Sequence, residues 1–394
     1  MATTKGYPGP RIIQWYVDTR RMWPVPKQAK PKDEVLLFKN VAARELSLLT
    51  EAEQDSVLRY YYLRDAKTKL VSHLLKHLII TKYQSVPWSK STISRDAKKK
   101  PCYVSEGSTT EPLGFAFNVS HQAGVVALIA AIGFQGRIEV GVDVVCVNER
   151  IKIDYQHIDK HGFFDWVDMH GDVFAPSELS YMKLAPVAVD LRVKGAELSG
   201  YGRDAISRVQ RRHERIAVKL TGKNGEDIEL QMQTDPIIDS KLRRFYAMWC
   251  LREAYVKMSG DALLAPWLKE LEILDVESPD AKEGIKDEWS LEKGEVVRQF
   301  ATYMKGRVMR DVKTEMTAMG VNYMMSGSIR VPKEHQMSDV VFGDWLELDF
   351  EKDVLAIAEE SLAGDLAREQ RKLDLAIDQG LSSLSTSDTA ETID

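Results

Sequence analysis

The sequence predicts an α+β protein made of two α/β lobes of similar size that meet near Gly136. Three observations lead to this prediction. Residues 51–82 form a long region rich in Leu, Tyr, Lys and Arg with helical periodicity, and residues 241–259 form a second strong helical pattern. Between them lie two runs rich in β-branched residues, at 125–132 and 140–147, which predict strands.

The first half of the chain is defined by a leucine stripe and a glycine-bounded strand pair. Leu70, Leu74, Leu75 and Leu78 recur at helical spacing, which predicts a buried face on the first helical region. The two strand runs are separated by the turn-like residues 133–136, which predicts that they pair as a β-hairpin.

The second half contains an insertion before its main helix. Residues 187–240 are polar and charged, and alternating apolar residues around Asn224 and Gly225 predict a small hairpin within them. The helix at residues 241–259 is expected to end at Gly260, since glycine readily terminates helices.

These signals give a domain prediction. An N-terminal lobe covers residues 1–135 and a C-terminal lobe covers residues 136–362. Within the second lobe, residues 280–320 are predicted to be helical and exposed. Residues 363–394 are charged and then rich in Ser, Thr and Asp, which predicts a disordered acidic tail.

Composition excludes several classes of protein. The chain has 394 residues and a formal net charge of -5 from 54 basic and 59 acidic side chains, which argues against a general nucleic-acid binder. Its 3 cysteines lie in unlike contexts and indicate no disulfide scaffold. The N-terminus has no signal pattern, and no apolar run reaches the length of a membrane span. The expectation is a cytoplasmic monomer that binds neither membrane nor nucleic acid.

Asp143 is the first candidate site residue. It lies in the apolar strand pattern 140–147 on the same face as Gly141 and Val145. A carboxylate in such surroundings is costly to bury unless it is paired or binds a metal. On the strand alone, pairing with an arginine is the favoured explanation. Gly141 indicates close approach by a ligand or by another segment of backbone.

The helix at residues 241–259 carries the second candidate set. Trp249, Glu253 and Lys257 have i, i+4, i+8 spacing and form one row. Glu253 and Lys257 also fit an ordinary helical ion pair, worth only about 0.3–0.5 kcal/mol, so by themselves they are more often structural than catalytic.

Two further polar segments precede the strands. Ser120 and His121 lie directly before the run at 125–132, where hydrogen bonding to a ligand phosphate or loop capping is favoured over nucleophilic catalysis. Lys98 to Lys100 are followed by Pro101. A lysine run is usually a solvated loop, but next to a rigid proline it is also suited to an anionic ligand.

Taken together and in order, these segments resemble the surfactin-type phosphopantetheinyl transferases, most of all the fungal members with broad carrier specificity. The family pattern is matched by Lys100-Pro101, by Asn118-Val119-Ser120-His121, by Gly141-Val142-Asp143, by Phe174 to Glu178 and by Trp249 to Lys257. Each motif alone is weak, whereas five in register are a strong signal.

The resemblance implies a fold of two α/β lobes related by pseudo-twofold symmetry, with coenzyme A and Mg²⁺ in a cleft. It implies that Asp143 and Glu253 ligate the ion, that Glu253 or a water it orients is the base, and that Lys257 stabilises or protonates the leaving group. Glu178 would support the metal site. Coenzyme A would be contacted by a set of polar and basic residues: Lys98, Lys100, Pro101, Asn118, Ser120 and His121.

The sequence departs from the family pattern at three places. Val145 stands where many relatives have a second acid, so Gln122 or water is expected to complete the metal site. Arg252 stands where the family has lysine, which exchanges a point charge for a flat fork. Basic residues that would hold the 3′-phosphate of coenzyme A are not evident before the first helix, and Arg59 is the substitute we consider.

The resemblance implies transfer of 4′-phosphopantetheine from coenzyme A to a serine of apo acyl, peptidyl or aminoadipate-reductase-type carriers, as in polyketide, nonribosomal-peptide and lysine pathways. Two alternatives stay open. The valine at position 145 is compatible with a coenzyme A-binding scaffold that has lost catalysis, and the carboxylates are compatible with a Mg²⁺-dependent coenzyme A hydrolase.

Overall fold

The structure is a computed structural model, and it describes residues 9–188, 196–261 and 265–385. Helices and strands both make up large parts of this chain, which confirms the predicted α+β class. The α-helices are α1 (Pro31–Val41), α2 (Ala43–Ser47), α3 (Glu51–Leu58), α4 (Leu63–Gln84), α5 (Ile151–His161), α6 (Phe163–Asp168), α7 (Pro176–Leu184), α8 (Gly200–Ser207), α9 (Asp235–Ser259) and α10 (Ala356–Ser385).

The β-strands are short and spread along the chain. They are β1 (Arg11–Asp18), β2 (Ile93–Arg95), β3 (Pro101–Tyr103), β4 (Phe115–Gln122), β5 (Val125–Ile132), β6 (Glu139–Cys146), β7 (Glu197–Leu198), β8 (Arg215–Thr221), β9 (Asp227–Gln233), β10 (Leu271–Leu274), β11 (Lys293–Val297), β12 (Ala301–Met304), β13 (Arg307–Val308), β14 (Val312–Met319), β15 (Tyr323–Arg330) and β16 (Phe342–Glu347). Among the described helices, none combines the length and the apolar character needed to cross a membrane.

The chain divides into two compact units. The first contains the described residues of Met1–Tyr16, Arg95–Pro101 and Leu113–Leu346, and the second contains those of Val17–Ser94, Cys102–Pro112 and Glu347–Asp394. This division differs from the predicted one. The predicted boundary between residues 135 and 136 falls inside the first unit, because β5 and β6 on either side of it belong to the same unit.

The first unit contains two four-stranded sheets, with strand orders β16-β1-β5-β4 and β11-β14-β15-β6. The predicted hairpin between β5 and β6 is therefore wrong, since these strands lie in different sheets. β5 pairs instead with β4, through a tight turn in which Ala123 and Gly124 have φ angles of 48° and 85°. Two positive φ angles suit the right-handed twist of a two-residue hairpin.

Helix α9 lies directly on β6. A Cβ atom at Gly141 would be 2.1 Å from the carbonyl oxygen of Ala254 and 2.2 Å from the amide nitrogen of Met258. The close approach expected from Gly141 is thus made by helix backbone. α9 begins at Asp235, before the predicted start, with Pro236 in its first turn, and it ends as predicted at Gly260, whose φ of 76° is left-handed.

The insertion contains the predicted hairpin. β8 and β9 pair with Val218 opposite Leu230, and the turn includes Gly225 with a φ of 80°. Val218 and Leu220 are fully buried in the same hydrophobic cluster as Leu242 of α9. Residues 189–195 of the predicted insertion lie outside the described residues.

The prediction of an exposed helical region at residues 280–320 is wrong. This stretch forms β11 to β14, and β14 pairs with β15 along its whole length, from Val312 opposite Arg330 to Met319 opposite Tyr323. Strand formation here depends on a partner strand that local sequence does not show, because pairing and burial outweigh intrinsic preference in sheets.

The second unit is mainly helical. The predicted helical region forms α3 and α4, and the side chains of Leu70, Leu74, Leu75 and Leu78 are almost completely buried, which confirms the stripe. The segment Phe350–Leu355 forms a π-helical turn that leads into α10.

The disorder predicted from residue 363 is wrong as far as Ser385, because α10 extends to that residue. Leu and Ala are the commonest residues in its sequence and favour helix. Its first turns are fixed by Arg44, whose guanidinium lies 2.6 Å from Glu359 and 2.8 Å from Glu351, and by the Trp88 amide, which donates to Ser361. Residues 386–394 lie outside the described residues.

Candidate active site

Asp143 is the centre of a hydrogen-bonded cluster in the first unit. It lies on the face of β6 that packs against α9 and is 5% exposed. Its Oδ1 accepts hydrogen bonds from Ser120 Oγ at 2.9 Å and from Lys257 Nζ at 2.5 Å. Lys257 Nζ also donates to Ser120 Oγ at 2.7 Å. The partner of Asp143 is thus a lysine and a serine, where the strand alone favoured an arginine.

Three elements bring this cluster together. β4 provides Ser120, β6 provides Asp143 and α9 provides Lys257. The amide of Val142 donates to Asn118 Oδ1 at 3.3 Å, so Asn118 ties β4 to β6 next to the cluster. Asn118 therefore has a structural contact here, and its predicted contact with coenzyme A stays a prediction.

Glu253 adds a second carboxylate one turn before Lys257 on α9. The pKa of Glu253 is raised to about 7, first by burial and then by the nearby charge of Asp143, while Lys257 acts to lower it. Burial acts to lower the pKa of Lys257, but Asp143 and Glu253 outweigh it and raise that pKa above the ordinary value. Ser120, Asp143, Glu253 and Lys257 are called the acid–lysine cluster below.

The acid–lysine cluster has the donor set for a hard divalent cation. Mg²⁺ is usually held by one or two carboxylates, with water and substrate phosphate in the remaining positions. Asp143 and Glu253 repel each other electrostatically, and a cation between them would relieve that repulsion. In the part of the chain that the structure describes, no group of three or more His, Cys, Asp or Glu side chains is arranged to hold a metal. Two protein carboxylates are therefore what this site offers.

The position next to Asp143 on the same strand face is apolar. Val145 is 2% exposed and belongs to the hydrophobic cluster of Phe245 and Tyr246. Gln122, predicted to complete the metal site, donates its amide to Glu149 Oε2 at 2.7 Å. The ligand role of Gln122 stays a prediction, and in this arrangement its amide is held by Glu149.

Glu178 is engaged in a buried ion pair with Arg252, and both side chains are 1% exposed. Its carboxylate also accepts from the amides of Ala175 at 2.9 Å and Ile273 at 3.0 Å. Arg252 donates further to the carbonyl oxygens of Leu268 and Leu271. The structure thus gives Glu178 structural partners, and the fork of Arg252 explains why arginine suits this position.

Lys98 and Lys100 lie at the C-terminal end of α9. Lys98 Nζ donates to the carbonyl oxygen of Ser259 at 2.6 Å, and Lys100 Nζ donates to that of Met258 at 2.7 Å. Cations are favourable at a helix C-terminus, where carbonyls lack intrahelical partners. The structure shows these lysines as helix caps, and Pro101 as the first residue of β3. Their contact with coenzyme A stays a prediction.

His121 and Arg59 are both exposed, and they belong to different units of the chain. His121 follows Ser120 on β4 and points to the opposite side of the strand, as alternation requires. Arg59 caps the C-terminus of α3 in the second unit. Sequence reasoning missed Glu53 of α3, whose carboxylate accepts from His77 at 3.1 Å and lies 3.3 Å from His73.

A cavity of about 240 Å³ adjoins the face of β6 that carries Asp143. Val145 and Gln122 line it, together with aromatic side chains of α6 and α9 that include Trp166, Phe245 and Trp249. It is called the substrate cavity below. Aromatic walls with a few polar groups are typical of small-molecule sites, and sequence patterns gave no signal for it beyond the position of Trp249.

Comparison with known proteins identifies the family of this chain. The family model for the N-terminal part of 4′-phosphopantetheinyl transferases matches residues 39–133. The 4′-phosphopantetheinyl transferase of Aureobasidium melanogenum is 35% identical over 355 residues, covering 87% of this chain and 96% of that protein. The 4′-phosphopantetheinyl transferase 1 of Fusarium mangiferae is 36% identical over 352 residues, covering 89% of this chain and 97% of that protein.

A relative from another group is more distant. The L-aminoadipate-semialdehyde dehydrogenase-phosphopantetheinyl transferase of Schizosaccharomyces pombe is 26% identical over 188 residues, covering 46% of this chain and 62% of that protein. These matches define a phosphopantetheine-transferring enzyme. The chain belongs to the 4′-phosphopantetheinyl transferase family, with coenzyme A as its substrate, and the predicted enzyme class is confirmed.

Proposed function

We propose that this transferase moves the 4′-phosphopantetheine group of coenzyme A onto a serine of apo carrier proteins at the acid–lysine cluster, with Mg²⁺. The serine oxygen forms the new bond to phosphorus, and the bond from phosphorus to the adenosine 3′,5′-bisphosphate oxygen breaks. The observation that carries this proposal is the convergence of Ser120, Asp143 and Lys257 from three elements, with Glu253 one turn away on the same helix.

Asp143 and Glu253 would hold the metal. When bound there, Mg²⁺ would neutralise diphosphate charge and polarise the phosphorus under attack. Asp143 is kept in place by Ser120 and Lys257, so its carboxylate is positioned before substrate arrives. Val145 leaves the adjoining position to water or substrate oxygens, and Gln122 would supplement it only if its amide left Glu149.

Lys257 would stabilise the charge of the leaving group, and Glu253 would take part in the proton transfer. The ammonium of Lys257 is fixed between two oxygens and would stabilise negative charge on the departing bisphosphate. Glu253, or a water that it orients, is the candidate base for the serine hydroxyl, because it faces the same cluster from the preceding turn. Ser120 and His121 are candidate phosphate contacts on β4, with Lys98 and Lys100 as further candidates.

The carrier protein is the second substrate of the proposed reaction. The name of the Schizosaccharomyces pombe relative refers to L-aminoadipate-semialdehyde dehydrogenase, so aminoadipate-reductase-type carriers belong in a test panel beside acyl and peptidyl carriers. A cytoplasmic location and a monomeric state stay predictions.

A carrier-labelling assay tests the function and its alternatives. Purified protein is incubated with coenzyme A, Mg²⁺ and a panel of apo carriers, and each carrier is weighed by mass spectrometry. The expected result is a mass increase of one phosphopantetheine on a serine of at least one carrier. Coenzyme A binding without labelling of any carrier would favour the scaffold, whereas release of free phosphopantetheine without an acceptor would favour the hydrolase.

A further inference from the structure

The insertion carries a basic segment that the site does not use. Residues 203–215 contain 5 arginines and 2 acidic residues. This local excess of positive charge stands out in a chain whose formal net charge is -5. Most of these arginines follow α8, in the loop that leads to β8.

Two of the arginines line a groove in the first unit. The groove has a volume of about 640 Å³ and is lined by residues that include His161, Arg208, Gln210, Arg211 and one acidic residue, Glu214. It is called the arginine groove below. Both arginines are exposed, and neither guanidinium makes a hydrogen bond or an ion pair with any residue that the structure describes.

The neighbouring Arg212 differs from Arg208 and Arg211 because its guanidinium has partners within the protein. Its guanidinium lies 3.4 Å from the ring centroid of Tyr155, 3.3 Å from Asp235 and 3.6 Å from Asp159. Arg212 is therefore committed to fixing the loop against α5 and α9. Arg208 and Arg211 are left to face solvent from a loop that is already held in place.

The backbone around Arg208 in the arginine groove is held in place by a buried lysine. Lys241 of α9 is fully buried, and its Nζ donates to the carbonyl oxygens of Ser207 at 2.6 Å and Val209 at 3.0 Å. These carbonyls flank Arg208. The amide of Phe163 donates to the carbonyl oxygen of Gln210 at 2.8 Å. Pre-organised presentation of this kind lowers the entropy lost when a charged partner binds.

Helix α5 connects the arginine groove to the substrate cavity. Ile153, His157 and His161 have i, i+4, i+8 spacing and so lie in one row on this helix. Ile153 and His157 line the substrate cavity, and His161 lines the arginine groove. The rings of His157 and His161 are 4.8 Å apart between centroids, so the row is continuous.

We propose that the arginine groove binds an acidic surface of the carrier protein while its serine is at the acid–lysine cluster. The inference rests on the proposed function, because it takes the carrier as the substrate. A carrier whose serine is at the acid–lysine cluster and whose surface lies along the α5 row would reach Arg208 and Arg211. Exposed charge at the rim of an interface mainly speeds association and selects partners of opposite charge, which suits a carrier with an acidic face.

The test is a double charge reversal, R208E/R211E, in the full-length enzyme. The assay is labelling of an acidic apo carrier at saturating coenzyme A and Mg²⁺. We expect the KM for the carrier to rise about tenfold, with kcat and the KM for coenzyme A unchanged, and the salt dependence of carrier labelling to weaken. Charge reversal of acidic residues on the carrier should restore labelling by the variant.

R307E/R310E is the matched control, because Arg307 and Arg310 are also exposed, have the same spacing and lie in the first unit. This variant should behave like the parent, and thermal unfolding should be the same for all three proteins. A carrier KM that R208E/R211E leaves unchanged would overturn the inference. Failure of the parent enzyme to label any carrier would instead count against the proposed function.

Discussion

Lys257 on α9 donates a hydrogen bond of 2.5 Å to the carboxylate of Asp143 on β6, and this bond fixes the helix row against the strand. Gly141 lets the backbone of α9 approach β6 closely. Because helix and strand are in direct contact there, Lys257 and Asp143 cannot shift independently of each other. The same pair would become the anchor for metal and phosphate in the proposed reaction.

The two carboxylates of the acid–lysine cluster should be indispensable. We expect D143A and E253A each to lower the rate of carrier labelling by at least about 100-fold, because each removes a metal ligand or a base that the transition state requires. E229Q, which alters an exposed acid of the β8–β9 hairpin, is the control and should label normally. Near-normal labelling by both site variants would contradict the proposed mechanism.

Glu178 should behave as a structural residue. Replacing Arg252 by Met leaves a buried carboxylate without its partner, which we expect to cost about 3–5 kcal/mol in the free energy of unfolding. E178Q should also lower stability, while the Mg²⁺ concentration for half-maximal labelling stays unchanged. Denaturant unfolding and a metal titration together check this. A raised Mg²⁺ requirement in E178Q at unchanged stability would restore the role in the metal site.

Gly141 should tolerate no side chain. In G141A the new methyl group would overlap backbone atoms of Ala254 and Met258, so α9 must shift. Overpacking of this kind costs about 1–3 kcal/mol or more, and the shift should also lower labelling because Lys257 moves with the helix. G364A is the control: nothing lies within 4 Å of a Cβ at Gly364 in α10, so its stability should stay equal or rise. Equal thermal stability of G141A and the parent would show that the helix has room to adjust.

Lys241 should make stability depend on pH. Burial lowers the pKa of Lys241 to about 7, whereas an unfolded lysine titrates near 10.4. Between these values the unfolded chain binds more protons than the folded chain, so this group makes the free energy of unfolding rise with pH. The stability of the parent relative to K241M should therefore increase from pH 7 to pH 10, by a few kcal/mol at most. A difference that stays constant over this range would mean that the carbonyl oxygens of Lys183, Ser207 and Val209, which accept from Lys241 Nζ, keep the ammonium charged in the folded state.

The parts of the site that lie on regular elements could be predicted from sequence. Strand alternation placed Asp143 on one face with Gly141 and Val145, and helical spacing placed Glu253 and Lys257 in one row. These periodicities are local, so they survive whatever the rest of the chain does. The end of α9 at Gly260 was predictable for the same reason.

Contacts between distant residues could not be predicted in this way. The ion pair of Glu178 and Arg252 joins residues 74 positions apart, and no periodicity links them. The pairing of β5 with β4 could not be predicted either. The run that forms β6 also follows β5 after a glycine-bounded turn, so the local sequence favours β6 as a partner as much as β4. The capping of α9 by Lys98 and Lys100 shows the same limit, because a lysine run looks solvated until the helix end beside it is known.

The buried residues of the insertion have a consequence for engineering. Ile206, Val218 and Leu220 fill the same core as Leu242 and Phe245, so the segment 196–234 is not a detachable appendage. Trimming it toward a shorter, minimal transferase would strip the outer side of α9 and leave apolar surface in water. A truncated enzyme would then be prone to aggregate, and any loss of activity would report on solubility before it reported on carrier choice.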